Sequence, residues 1–507
     1  MTIIKNQTVR RHLVPLVLLL VLTAATFGEV LTHSFLPTWD DTFYITENPA
    51  VRGFSLQHVS AAFTTNYQGN YAPVQILSYM LDYAIWGMEP FGFLLTNLVC
   101  HAVSGLLLYG LLVRQGFWKW GAFLGSALFL VHPVQVESVA WLSQRKNLLA
   151  MLFFLLAFHA WLSYRESTGK PAWVWYRASI GALVLSLLSK SVAVVFPVML
   201  VMYDTLHPPA TARYRRHLEK MPHLLVALAV TVLTVVFQSM ENGGGRAEYP
   251  PDALIVLPLT MVTVLTGYLQ LLLWPAADRL STIYTPPFRT SFDAAVAVGV
   301  AIAVFLTLAG IWLFRRSRQG FFWYALFFLG LVPVSQIIPL ITIMNDRYLY
   351  FPMLGIAGVA AWAAGELRPR YATPVARGVA VAVVSGIVIA LATASHLRGR
   401  LWKDAITLFL DTVPKVENVR QQWFMLADGY RAAGDERSAG MCDRRAMTPG
   451  PLDDSDYLLL GRLYFDRGEP EKVRQLAERL IKKGKWGGVG MFLLGEYDKL
   501  RKNQGQQ

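Results

Sequence analysis

Apolar residues gather in long runs separated by short polar turns. A helix crosses the hydrocarbon of a bilayer in roughly 20 mostly apolar residues. The runs at about 13–36, 91–113, 147–163, 174–204, 221–239, 293–314, 320–343, 348–365 and 376–396 read as such helices. The shorter stretch 118–133 pairs with 147–163 across a turn at 135–147. The run 174–204 carries Ser189, Lys190 and Ser191 at its middle. A lysine at the bilayer centre costs about 3 kcal/mol or more, so this run is read as two short spans meeting at a turn. About eleven crossings result. Residues 253–276 are also long enough to span, but a crossing there would reverse the sidedness of everything that follows. They are read as a re-entrant or interfacial element. The pattern predicts an all-α, polytopic membrane protein.

The first run begins after Arg10, Arg11 and His12, as a secretory signal would, yet it continues to Phe35. That is too long for the apolar core of a signal peptide, and it is read as an uncleaved helix. After Leu401 the pattern changes to that of a soluble helical domain. Trp423, Leu426, Ala427, Tyr430, Gly434, Ala439 and Ala446 recur 34 residues later as Tyr457, Leu460, Gly461, Tyr464, Gly468, Val473 and Leu480. A third copy opens at Met491, Leu494 and Gly495. A 34-residue period with these residue types is the tetratricopeptide pattern. The expected organisation is a membrane domain over 1–396, with a first outer loop at about 37–90, and a repeat domain over 397–507.

Composition alone invites a different reading. The chain of 507 residues carries 46 Lys and Arg against 33 Asp and Glu, a net charge of +13. Such a balance suits nucleic acid, but only 16% of residues are charged, too few to cover soluble domains of this size. No nucleic-acid partner is expected; membrane lipids are. Sorted by turn, with the N-terminus cytoplasmic, the inner segments hold 18 basic residues, among them Arg213, Arg215 and Arg216. The outer loops up to residue 396 hold 8, with 12 acidic residues. Positive charge marks the cytoplasmic side, so the N-terminus is placed inside and the repeats outside. Two cysteines, Cys100 and Cys442, exclude a disulfide scaffold and a cysteine-based metal ribbon.

The outer charges are then few enough to inspect singly. Asp40 and Asp41 follow the first span. The second outer turn carries His132, Glu137, Arg145 and Lys146, the third Lys190, and the penultimate Asp346, Arg347, Tyr348 and Tyr350. Ionisable groups at membrane level are expensive and usually functional. A carboxylate there can take a proton from an attacking hydroxyl, and Arg or Lys can hold a phosphate leaving group. Each residue also has a structural reading. The aspartates can cap a helix, Glu137 can pair with Arg145 or Lys146, Lys190 can snorkel, Arg347 with its tyrosines can form an interfacial belt, and His132 can be a satisfied turn residue. Acid and base together at one lipid surface fit transfer from a lipid-linked phosphate donor to a hydroxyl.

The order of motifs is more specific. WDD…NP at 39–49, NYAPVQILSYMLDYAIWGMEPFGFLLTNLVCHA at 70–102, HPVQVESVAWLSQRKNLLA at 132–150, LLSKSVAV at 187–194 and DRYLYFP at 346–352 precede the repeats. This order closely resembles the transmembrane and tetratricopeptide-repeat O-mannosyltransferases and their bacterial relatives, within the GT-C superfamily. The resemblance implies a GT-C-like membrane bundle followed by a short α-solenoid. It implies an inverting transfer of a sugar, such as mannose, from a polyprenyl-phosphate donor to an extracytoplasmic protein that the repeats could hold. The acidic pair would supply the base, with Asp41 slightly preferred over Asp40, and Glu137 would be the second-loop acid. Arg145, Lys146, Lys190 and Arg347 become candidates for the donor phosphate, and His132, Tyr71, Asp346 and Tyr348 further candidates. No cofactor is demanded; Asp40, Asp41 and Glu137 could ligate a divalent ion through oxygen. The compact form and few repeats suggest a bacterial inner membrane with a periplasmic repeat domain.

The chain departs from the family pattern at Ala72, where an arginine is usual, and at Asn147, where the animal enzymes often have Asp. The alternatives are a transferase acting on a lipid or glycan, and a non-catalytic anchor presenting a repeat scaffold.

Overall fold

The computed structural model describes residues 2–37, 39–208, 217–238, 247–370, 373–416, 420–448, 450–483 and 487–504. Arg213, Arg215 and Arg216 lie outside the described residues. The chain divides into two compact units, Met1–Lys403 and Asp404–Gln507. Both are all-α, and the one β contact among the described residues is an isolated bridge between Tyr67 and Asn70.

The first unit is a multi-pass membrane bundle. Eight of its described helices are long and apolar enough to cross a bilayer, or nine if the bent pair Lys119–Val131 and Pro133–Ala140 counts as one span. All eleven expected segments are helical, but four of them are shorter than a full crossing. Lys119–Val131, Phe196–Leu206, Arg318–Leu331 and Met353–Leu367 have 13, 11, 14 and 15 residues. At 1.5 Å per residue they extend roughly 16–23 Å, against about 30 Å of hydrocarbon. Each gives way to irregular turns near 132–144, 190–195 or 332–352. Irregular backbone survives at such depth only where protein covers it. Residues 129–151 are accordingly buried without a break.

The run expected to break at Lys190 does so. Lys170–Ser189 ends there, and a short 3₁₀ turn, Ser191–Val195, leads into Phe196–Leu206. The segment expected at 253–276 is one unbroken helix, Ala253–Leu273. Its length and composition would permit a crossing. Its N-terminal half packs beside the start of Ala294–Arg316, where the Arg289 amide donates to Thr260 Oγ1 at 2.9 Å. Its last turn accepts a 3.0 Å bond from the His132 ring on the Leu272 carbonyl.

Glycines let two helices meet backbone to backbone. A Cβ on Gly125 would lie 2.3 Å from the Ala357 carbonyl oxygen, and one on Gly121 would lie 2.6 Å from that of Ala361. Lys119–Val131 and Met353–Leu367 are thereby held at close range, which fixes the turns at 132 and 346 beside each other.

The second unit is made of helices Ala405–Thr412, Arg420–Ala432, Glu436–Met447, Asp454–Asp466, Pro470–Lys483 and Gly487–Gln504. The recurring large and small residues form its core: Trp423, Leu426, Ala427, Tyr430, Ala439 and Ala446, then Tyr457, Leu460, Tyr464, Val473 and Leu480, are all buried. Gly434 and Gly468, one period apart, have φ of +80° and +70° at the equivalent interhelical turns, a backbone that glycine adopts without a steric cost. Cys100 and Cys442 are free thiols in separate units.

Candidate active site

The loop that follows the first span enters the site directly. A helical turn at Asp40 and Asp41 continues into a π-helix, Thr42–Thr46, a wide turn that recurs at functional sites. Asp41 does not cap this helix. Its Oδ2 accepts from the Leu36 amide at 3.0 Å, and its Oδ1 accepts from the Ser143 amide at 3.1 Å and from the Ser143 hydroxyl. It is 1% exposed. Burial pushes its carboxyl up to about 6, against the lowering effect of these bonds, and neighbouring Asp40 adds to the rise. Asp41 Oδ1 thus ties the loop to the turn at Ser143, while Oδ2 closes the loop on its own start at Leu36.

Asp40 differs. It is partly exposed and accepts no hydrogen bond from any described residue. Its charge acts on Lys146 and Arg347. Lys146 donates to the Tyr44 hydroxyl at 3.2 Å, with its ammonium 4.7 Å from the centre of the Tyr44 ring. Tyr44 in turn donates to the Tyr67 carbonyl at 2.9 Å. No sequence feature marked Tyr44. Its place follows from lying one turn beyond Asp40, on a buried face.

Glu137 and Arg347 form an ion pair between Oε1 and Nη1, and Glu137 Oε2 accepts from the Arg347 amide at 2.8 Å. Glu137 is 1% exposed and spends both oxygens in this way. It sets Arg347 rather than facing solvent. The Nε and Nη2 of Arg347 make no hydrogen bond among the described residues, and its side chain is 15% exposed. The guanidinium lies 5.6 Å from the Trp141 ring centre and 5.5 Å from that of Tyr348. Lys190, also partly exposed, donates to Asn147 Oδ1 at 2.6 Å. Burial, then the cations Lys146 and Arg347, hold its ammonium well below the ordinary lysine value, with Glu137 opposing. The four turns expected on the outer side therefore converge on one cluster, in which the unengaged Asp40 acts on Lys146 and Arg347 and these two cations act on Lys190.

Other expected residues serve the framework. Arg145 is fully buried, paired with Asp82 and donating to Asn97 Oδ1 at 2.8 Å, the Phe93 carbonyl at 2.7 Å and Ser78 Oγ at 3.3 Å. Its guanidinium sits 4.4 Å from the Tyr79 ring centre. It is a core ion pair with every nitrogen engaged inside the bundle. Consecutive helix residues point about 100° apart, so Lys146 turns to the site while Arg145 turns to the bundle. His132 is the satisfied turn residue, bonded to the Leu272 carbonyl and taking the Val134 amide. Asp346 accepts from the Tyr284 hydroxyl. The Tyr348 hydroxyl bonds Thr342 Oγ1 at 2.6 Å, and Tyr71 stacks on Phe237 at 4.4 Å. The trio Asp40, Asp41 and Glu137 does not assemble as a metal-ligand set: two of the three are engaged, and no group of three His, Cys, Asp or Glu suited to a metal occurs among the described residues.

No protein-family model matches the chain. It is similar to curated protein O-mannosyl-transferases. It is 29% identical over 248 residues to TMTC2 of Homo sapiens, covering 44% of this chain and 28% of that protein. It is 36% identical over 153 residues to TMTC1 of Mus musculus, covering 28% and 16%. It is 23% identical over 454 residues to TMTC3 of Mus musculus, covering 81% and 48%. The matched regions thus span less than half the length of these relatives. Among solved structures it is similar to ArnT from Cupriavidus metallidurans in the apo state, at TM-score 0.42 and 15% identity over 92% of this chain and 80% of that one. It is also similar to the Archaeoglobus fulgidus oligosaccharyltransferase, at TM-score 0.43 and 15% identity over 85% and 59%. The resemblance carried by the motif order is borne out by the curated relatives.

Proposed function

We propose that this chain is a membrane glycosyltransferase that moves a hexose, such as mannose, from a polyprenyl-phosphate carrier to a hydroxyl of an extracytoplasmic protein. The observation that carries this reading is the converged cluster: Asp40 unengaged beside Arg347 and Lys146, with Lys190 next to both cations. The similarity to O-mannosyl-transferases supports the sugar and the acceptor class.

In this reading Asp40, not Asp41, is the general base. It takes the proton of the acceptor hydroxyl as that oxygen forms a bond to the anomeric carbon. The bond from that carbon to the phosphate oxygen breaks, and the polyprenyl phosphate leaves with the electron pair. A single displacement inverts the anomeric centre. Arg347 offers two free nitrogens to the phosphate, with the lysines beside it, so the developing charge is met by donors already in place. Asp41 and Glu137 are positioning residues. Asp40 is the one unengaged carboxylate that a divalent ion could share. The site side is taken as periplasmic, with the N-terminus cytoplasmic, the helix Ala253–Leu273 lying at the interface rather than crossing, and the repeats outside to hold the acceptor.

The test is transfer by the purified, bilayer-reconstituted protein from a polyprenyl-phosphate carrying radiolabelled mannose. Label should appear in an extracytoplasmic acceptor protein and be released by β-elimination. Label found instead in an organic-soluble product overturns the protein acceptor. Absence of transfer from any lipid-linked hexose, with a repeat-dependent binding activity intact, overturns the enzyme in favour of a scaffold.

A further inference from the structure

Glu137 holds one edge of Arg347, but an arginine tethered by one nitrogen can still swing its plane. A second contact restricts it. Glu137 and Trp141 are four residues apart at the helix Val136–Ala140, and the Trp141 amide donates to the Glu137 carbonyl. That spacing puts carboxylate and indole on one face. The carboxylate takes the Arg347 edge and amide, while the indole takes its face at 5.6 Å. Trp141 also stacks on Trp39 at 4.2 Å with 26° between planes, and on Trp402 at 5.7 Å. Trp39 immediately precedes Asp40. Trp141 is 2% exposed, so little of it is open to a substrate.

We propose that Trp141 is a positioning residue that sets the plane of Arg347 for the donor phosphate and ties it, through Trp39, to the loop bearing Asp40. This rests on the glycosyltransferase reading above. Its content is a coupling: the benefit of Trp141 passes through Arg347 on the donor side and through Trp39 on the base side.

The test is a double-mutant cycle on the full chain in bilayers, with kcat and donor KM measured for Trp141→Leu, Arg347→Met and the pair. Trp141→Phe is carried in parallel, so that a leucine variant that does not fold leaves a readable cycle. Trp141→Leu should raise donor KM about tenfold, the scale of a desolvated cation–π contact, and lower kcat. Trp141→Phe should recover donor KM to within about threefold of the parent. In the Arg347→Met background either Trp141 change should move donor KM by less than about twofold, because interacting residues are not additive. Full multiplication of the two effects overturns the inference. A donor KM unmoved by Arg347→Met overturns the phosphate assignment instead, so the two failures are distinct.

Discussion

Substituting each of the adjacent aspartates by asparagine separates a base from a brace. Asp40→Asn removes a partly exposed carboxylate that no described residue hydrogen-bonds. Loss of a general base lowers turnover by about 10²–10⁴, or roughly 3–5 kcal/mol of barrier. Donor KM should hold or fall, because a negative charge near Lys146 and Arg347 has gone. Asp41→Asn acts on folding. Its carboxyl is raised from 3.8 to about 6 by burial, so holding it ionised at neutral pH costs about 3 kcal/mol. The asparagine amide must also turn its NH₂ toward Leu36 or Ser143, and a buried donor without an acceptor costs about 1–3 kcal/mol. These terms oppose, and stability at pH 7 should change by less than about 2 kcal/mol.

The pH dependence gives a second reading of the same pair. A folded-state value above the unfolded one means that the folded protein binds more protons between 3.8 and about 6. Stability from this group therefore falls as pH rises through that window and is flat above it. Asp41→Asn should lose that fall, and Asp40→Asn should keep it. The assay is turnover with a lipid-linked hexose, alongside thermal melts from pH 4 to 8 in one detergent. Asp40→Asn turning over within about threefold of the parent, or natively melting Asp41→Asn losing 10²-fold or more, would refute the assignment.

Arg145→Met should behave unlike any change at the cation cluster. It leaves Asp82 buried without its partner, a loss of about 3–5 kcal/mol, seen as a smaller monodisperse fraction in size-exclusion chromatography, while donor KM of the folded remainder stays put. Gly125→Val should lower the melting temperature sharply, since its Cβ would meet the Ala357 carbonyl oxygen at 2.3 Å and overpacking costs about 1–3 kcal/mol or more. Gly181→Ala, with nothing within 4 Å of its Cβ, is the control and should melt as the parent does.

Much of the bundle could be read from the runs because hydrocarbon imposes a simple rule on length and polarity. That rule does not show where helices stop short and buried turns replace them, as at 132–144, since a bilayer-blind pattern does not show which protein covers a turn. The site residues Asp40, Glu137, Lys190 and Arg347 stood out because charge is scarce in the loops read as outer. Arg145 and Lys146 stood out equally, yet one belongs to the core and one to the cluster. Their difference is a rotation about the helix axis, which depends on where Arg145–Glu166 packs. The preference between Asp40 and Asp41 had the same obstacle: it turns on Leu36 and Ser143 donors that only the folded loop brings together. Tyr44 and the stack of Trp39, Trp141 and Trp402 carried no charge to draw notice.

The crowding of cations around Lys190 also bears on how the protein stores protons. Burial, with Lys146 and Arg347 beside it, holds the Lys190 ammonium well below its ordinary value, and Glu137 opposes. A phosphate in their midst would oppose that field and favour the charged ammonium. Binding and protonation are then thermodynamically linked. On the proposed function, donor affinity should strengthen as pH falls, read as donor KM against pH. A lysine that merely anchors a helix end would leave no such imprint on proton stoichiometry.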